Sequence, residues 1–446
     1  MNPLSTHPSC NRGAEPPLNN QEKTMASIAR TAAALAAAHL MLAAAPAFAQ
    51  ADCPKLGGVI ALTGAQGAVG KVIADAGRLA VDQVNKAGGV KGCQVEFVIR
   101  DDTSQPSVGL DAARFLVDVQ KVHAIVGLVG SGTALQVVNS VSAPNKIPTV
   151  ACCAVTPALT RMAEEGKTGG YFFRTIPTAR AMALAHAQAA VDKGYKRTVI
   201  LHINNDFGNG TAPDARRALE KLGGSVAGVV PYAENQPSYR ADVMKALALN
   251  PDSMILIGLS QDATIVLREW FALGGTPNVI LHNTLRSMDV IKGIGERFLA
   301  NAVGIDNGQA SGPSADTFGR DFQAAYGRPA VGPGLHTMYD AAAITLLAMQ
   351  AAPKLDGASI RDALRAVQDP QGLEVGPGVD GLKKGLDALK AGRKIRYVGA
   401  TGAFRFDANG DVTGPMLTWK LKDGQIVTDK NISLDEMNAL AQKAGF

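Results

Sequence analysis

Short apolar runs alternate with longer stretches carrying apolar residues at helical spacing. Residues 56–62 form a run too short for a helix and read as a buried strand. It ends in the glycine-rich turn Thr63-Gly64-Ala65-Gln66-Gly67-Ala68-Val69-Gly70. Val72, Ile73, Ala76, Leu79, Ala80 and Val84 then predict a helix over about 71–86, stopped by Ala87-Gly88-Gly89. A strand over 94–100, a helix over 110–121 and a strand over 124–128 follow. This βαβαβ order implies a parallel sheet with right-handed crossovers.

Residues 124–160, AIVGLVGSGTALQVVNSVSAPNKIPTVACCAVTPALT, are the centre of the pattern. They read as a strand ending in Gly130-Ser131-Gly132, a helix from about Thr133, and a strand over 148–151 ending in Cys152-Cys153-Ala154-Val155-Thr156-Pro157. Two neighbouring strand ends thus carry small hydroxyl residues and free backbone N–H groups. In an open α/β sheet ligands bind at that edge, and helix N-termini there favour an anionic group. After a crossover at Phe172-Phe173-Arg174-Thr175 a second α/β series begins. Its predicted strands cover 198–202, 225–230, 253–257 and 279–282, and its helices 179–193, 213–222, 239–249 and 263–273. Further helices are expected over 315–326, 336–351 and 360–367. Residues 402–407 and 416–421 read as antiparallel strands around a hairpin turn at Asp407-Ala408-Asn409-Gly410.

A chain of 446 residues is too long for one ordinary core, so two domains are expected. Apolar residues make up 46% and charged residues 19%, a globular composition. The formal charge of +5 is small for this length and no Lys/Arg cluster occurs, which argues against a nucleic-acid partner. Met25-Ala-Ser-Ile-Ala-Arg30, a small apolar run over 31–45 and Ala47-Phe48-Ala49 form a secretory signal over 25–49, with cleavage after Ala49. Residues 1–24 read as a non-native or disordered extension. The remainder is expected in the periplasm, where disulfides are permitted. Cys53 and Cys93 each precede a strand of the first sheet, and a bridge between them is expected if those strands are parallel neighbours. Cys152 and Cys153 read as two buried small thiols, because adjacent cysteines rarely bridge.

Several chemistries lose support on spacing. Gly64–Lys71 lacks the P-loop pattern, since Val72 stands where Ser or Thr must bind magnesium. Ser131 is not in a nucleophile elbow, because Val129 occupies the first glycine position. No metal-ligand set, cofactor fingerprint or assembled triad is present, so an enzyme is not expected. Phe207, in Asn-Asp-Phe-Gly, either covers a ligand from a strand end or packs in an ordinary core; the residues leave both open.

The segments ALTGAQGAVG, GRLAVDQVNKAGGVKG, VEFVIRDDTSQP, IVGLVGSGTA, TPALT, YFFRTIPT, NNDFGNG, PYAENQPSYRADV, LREW, MYDAA and GATGAFRFDANGDV, in this order, resemble the periplasmic substrate-binding proteins of ABC importers, in the leucine/isoleucine/valine-binding branch. The resemblance implies an α/β, type I fold of two doubly wound lobes joined by three crossovers and closing on ligand like a clamp. One lobe would comprise 51–174 plus 303–402, the other 175–302 plus 403–446. It implies a monomer without cofactor that hands a small solute to permease subunits in the inner membrane, or the same clamp serving as a sensor. By resemblance Ser131, Ala154 and Thr156 would hold a ligand carboxylate, with Val155 where a Thr is usual. Phe207 would cover the ligand, Val69 and Leu259 would take usual aromatic wall positions, and Tyr339 of MYDAA would join the set. The family's acid for an α-ammonium falls near Asn283, where this chain has no carboxylate. An ammonium buried without a counter-charge is costly. Aromatic or aliphatic carboxylates and amide-like solutes therefore compete with an amino acid as ligand.

Overall fold

The computed structural model describes Gly13 and residues 53–308 and 312–446. The signal sequence at 25–49 and the extension before it lie outside the described residues. Two sheets organise the chain. The first runs in the order β2-β1-β3-β4-β5, with β1 Lys55–Ile60, β2 Glu96–Asp101, β3 Ala124–Gly127, β4 Thr149–Ala151 and β5 Phe172–Arg174. All its pairings are parallel. Helix α1 (Gly67–Lys86) covers one face and α2 (Pro106–Asp118) the other, while Ser131–Val137 (α3) opens a helical run that continues to Asn145. Helix α4 (Pro157–Glu164) precedes β5.

The second sheet begins after α5 (Ala179–Asp192). Its parallel strands are β6 Thr198–Ile203, β7 Val226–Tyr232, β8 Ser253–Ile257, β9 Val279–Leu281 and β10 Val303–Asn307. Helices α6 (Asp206–Lys221), α7 (Arg240–Ala248) and α8 (Ser260–Ala272) connect the first four; α9 (Met288–Ile294) precedes β10. The chain then returns to the first lobe as α10 (Pro313–Tyr326), α11 (Leu335–Ala351), α12 (Gly357–Ala366), β11 (Leu373–Val375), α13 (Val379–Lys390), β12 (Ile395–Gly399) and β13 (Gly402–Ala403). Helix α11 is apolar almost all round and lies fully inside the first core. Finally β14 (Met416–Lys422), β15 (Gln425–Ile432) and α14 (Leu434–Ala444) complete the second lobe.

Four expectations need correction. Residues 303–307 belong to the second lobe, because β10 pairs with β9 on one side and β14 on the other. The return crossing therefore follows Asn307. The third crossing likewise comes later than residue 403, since Phe406 and Val412 pack in the first core. The hairpin turn is not at Asp407–Gly410: β14 pairs with β15 across Asp423-Gly424, and Ala403 pairs back onto β12. Cys152 and Cys153 are not free thiols but are joined to each other. Cys53 and Cys93 form a second disulfide with Cα atoms 5.4 Å apart. Glu96 N–H donates to Pro54 O at 3.1 Å, which holds the starts of β1 and β2, and so the two cysteines, side by side.

The crossings run next to one another. Arg174, fully buried at the end of β5, pairs through Nε with Asp411 at 2.6 Å. Its Nη1 donates to the carbonyls of Ala154 and Thr156 at 3.1 Å each, and its Nη2 to Thr160 Oγ1 at 2.6 Å. One guanidinium thus ties the first crossing, the third crossing and the turn after β4.

Candidate functional site

The site is built at the C-terminal ends of the strands in both sheets. After β3 the chain turns through Gly127 (φ +103°) and Leu128 (φ +55°), a left-handed pair that brings Val129-Gly130-Ser131 to the sheet edge. Ser131 starts α3, so the first N–H groups of that helix have no intrahelical acceptor. After β1, Asp101 anchors the neighbouring turn: its Oδ1 accepts from Leu62 N at 2.8 Å and its Oδ2 from Thr63 Oγ1 at 2.6 Å. That turn delivers Ala65 and Gln66, and the start of α1 delivers Val69. From the second lobe, Asn205 caps α6 by accepting from Phe207 N and Gly208 N, which fixes Phe207 at the cleft. Ser260 Oγ donates to Thr284 O at 2.7 Å, joining the start of α8 to the turn after β9.

Between the lobes lies an inner cavity of about 80 Å³. The first lobe lines it with Gln66, Val69, Ile73, Val129, Ser131, Cys153 and Val155, and Pro333 and Gly334 close that side. Phe207, Leu259, Ser260, His282, Asn283 and Thr284 form the facing wall. The ring of His282 sits 5.0 Å from Phe207 edge to face and 5.4 Å from His186 in a stack. Its Nδ1 lies 3.5 Å from Thr284 N and 3.4 Å from Thr284 Oγ1, and its Nε2 is buried without a partner among the described residues. Burial, with His186 alongside, drives the His282 pKa well below the usual value. Both rings are therefore neutral at pH 7, and no charged side chain lines this cavity among the described residues.

The inner cavity continues into an outer one of about 310 Å³, sharing Ala65, Gln66, Gly130, Ser131, Phe207 and Leu259. Acidic groups sit only in this outer part: Asp102, Asp206 and Glu234. Asp102 is buried, and that burial raises its pKa to about 6. The carboxylate behind Asn283 is Asp306, which does not reach the cavity. It pairs with Arg286 Nη1 at 2.9 Å, both groups buried. Burial raises the Asp306 pKa, with Arg286 opposing.

Of the residues named from the sequence, Ser131, Phe207, Asn283, Val69 and Leu259 lie on the cavity wall. Ala154, Thr156 and Tyr339 do not. Ala154 is fully buried and its carbonyl is held by Arg174. The Thr156 hydroxyl accepts from Ala158 N at 3.4 Å as the cap of α4. Tyr339 is fully buried in the first core, where its hydroxyl accepts from Gly378 N at 3.1 Å and donates to Gln83. Their neighbours Val155 and Cys153 reach the cavity instead. Among the described residues no group of three or more His, Cys, Asp or Glu is placed to hold a metal. None of the helices described is long and apolar enough to cross a membrane.

The family model described as periplasmic binding protein matches residues 54–425. The chain belongs to that family. This binding protein is 28% identical over 385 residues to the chemotactic signal transduction system substrate-binding protein BasB of Halobacterium salinarum, covering 84% of this chain and 88% of BasB. Its fold is similar to that of the leucine-binding protein LivK from Thermotoga maritima, with a TM-score of 0.73 at 22% identity over 86% of this chain and 99% of that one. It is also similar to a solute-binding protein of an ABC transporter from R. palustris solved in complex with benzoate. That TM-score is 0.69 at 18% identity, covering 85% of this chain and 96% of the other. The fold is the α/β type I arrangement of these neighbours.

Proposed function

We propose that this protein captures a small apolar carboxylate lacking an α-ammonium group and delivers it to the permease subunits of an ABC importer. The observation that carries the reading is the uncharged inner cavity: no Asp or Glu lines it among the described residues, and Asp306 is committed to Arg286. An ammonium enclosed there would lose its hydration without gaining a counter-charge. A carboxylate needs only donors, and the Ser131 hydroxyl with the first N–H groups of α3 supplies them. Val69, Ile73, Val155, Phe207 and Leu259 supply the apolar contact. The benzoate complex of the R. palustris neighbour agrees with this class of ligand, while LivK carries leucine in its name.

The discriminating comparison is isocaproate against leucine, which differ at the α-ammonium. Isocaproate and benzoate should raise the melting temperature, since a ligand of the native state stabilises it, and leucine at equal concentration should not. A shift by leucine alone would reject this reading. Ser131→Ala should weaken isocaproate binding by roughly 1–3 kcal/mol, as for a hydrogen bond to a charged group. Unchanged affinity would move the carboxylate elsewhere.

The similarity to BasB supports a second reading, in which the same clamp reports ligand to a chemotaxis receptor. Labelled-acid uptake that persists after deletion of the gene, with loss of taxis toward the acid, would favour it.

A further inference from the structure

The Cys152–Cys153 disulfide is not absorbed by the fold or by the functional reading above. It sits where β4 ends, with Cys152 N–H donating to Gly127 O at 2.8 Å. Cys152 is fully buried in the first core, and Cys153 lines the inner cavity. The sulfur of Cys153 is packed closely by Gly334: a Cβ there would meet it at 2.8 Å. Across the cavity stand Phe207 and His282 from the other lobe. A bond between adjacent cysteines closes a small ring through the intervening peptide. It removes both S–H donors, fixes both side-chain torsions, and presents divalent sulfur as a rigid, polarisable apolar surface.

We propose that the Cys152–Cys153 disulfide is a ligand-contacting wall that sets the specificity of the cleft for apolar acids, and that opening it to two thiols weakens their binding. The inference rests on the apolar-acid reading of the same cavity. The oxidised pair gives the ligand a surface with no donor to satisfy, facing the Phe207 ring. Reduction by an external dithiol breaks the Sγ–Sγ bond. Two electrons and two protons come from the dithiol, which leaves as its own disulfide, and two S–H groups appear. The ring opens, the Cys153 side chain regains rotamers, and Val155, two residues on, loses a covalently fixed neighbour. Loss of a preformed wall costs affinity because the ligand must then order it.

The test uses the full chain titrated calorimetrically with benzoate and with isocaproate, before and after dithiothreitol. Affinity for at least one acid should fall about tenfold on reduction, the loss of one good sulfur contact and its preorganisation. Cys152→Ala/Cys153→Ala should bind like the reduced protein and ignore dithiothreitol. Cys53→Ala/Cys93→Ala, which removes the bridge distant from the cleft, should retain the full response. If an acid binds and reduction leaves its affinity unchanged in the wild type, the disulfide is not a working wall and the proposal fails alone. If neither acid binds either form, the apolar-acid reading fails and takes this one with it. Alkylation and mass spectrometry of the purified, non-reduced protein test the bond independently of any ligand. Labelled Cys152 and Cys153 would overturn the proposal, and an unlabelled linked pair would support it.

Discussion

At the scale of single residues, the site is defined by which polar groups are already committed. Asp306 is spent on Arg286, Thr156 on capping α4, and Ala154 on Arg174, so of the polar residues named from the sequence Ser131 and Asn283 face the cavity, beside Gln66 and Ser260. His186 lies behind His282 and is fully buried, its Nδ1 2.6 Å from Met182 O. Burial lowers its pKa to about 4. The unfolded chain takes up a proton near pH 6.5 and the native state does not until about pH 4, so this group's contribution to stability is complete above pH 6.5 and is lost as pH falls toward 4. Asp102 and Asp340, both raised to about 6 chiefly by burial, act in the opposite sense, stabilising below about pH 4 and losing that contribution as pH rises through 6. His186→Leu isolates one side of this balance. Between pH 7 and pH 5 its melting temperature should change less in the destabilising direction than that of the wild type in matched thermal scans. Identical pH profiles would mean that His186 takes up its proton at the same pH in the native and unfolded states. The capping role of Thr156 was legible, since Thr-Pro is a helix start with Pro at the first position. The disulfide at Cys152 was not, because it depends on how the turn after β4 is buried rather than on any spacing.

At the scale of elements, apolar periodicity located most strands and helices, since each is buried on the face that the pattern marks. The misses have identifiable causes. Asp423-Gly424 between two strand-like runs is a hairpin signal, and Ser433 with Glu436 is a capping box that starts α14; both are sequence-readable. The placement of β10 was not readable, because Val-Gly-Ile-Asp-Asn carries only two apolar side chains and does not say which neighbours it pairs with. Nor does the pattern show Arg174, whose role comes from three segments distant in sequence. Breaking its pair is a sharp test of that role. Asp411→Asn leaves a buried guanidinium without its counter-charge and should cost about 3–5 kcal/mol in urea unfolding. A cost near zero would mean that the hydrogen bonds to Ala154, Thr156 and Thr160 suffice.

At the scale of the whole molecule, the lobes meet through glycines. A Cβ on Gly132 would meet Asp206 Oδ2 at 2.9 Å, and one on Gly210 would meet Thr156 Oγ1 at 2.8 Å and Pro157 Cδ at 3.2 Å. Each glycine thus allows one lobe to approach the other. Gly210→Val should prop the cleft open: isocaproate should bind more weakly and should no longer reduce the radius of gyration in small-angle scattering, while the ligand-free melting temperature holds. Compaction equal to that of the wild type would show that closure does not pass through this contact. The interlaced path of the chain carries a different consequence, for the order in which the protein is made. Strand β10 has a parallel partner, β9, upstream, but its other edge stays bare until β14 has been synthesised more than a hundred residues later. Through that interval the growing polypeptide exposes an unpaired strand edge, the kind of surface that recruits foreign strands. The second lobe cannot finish before the first, and a chain that stalls between them is a candidate for aggregation rather than a half-built clamp.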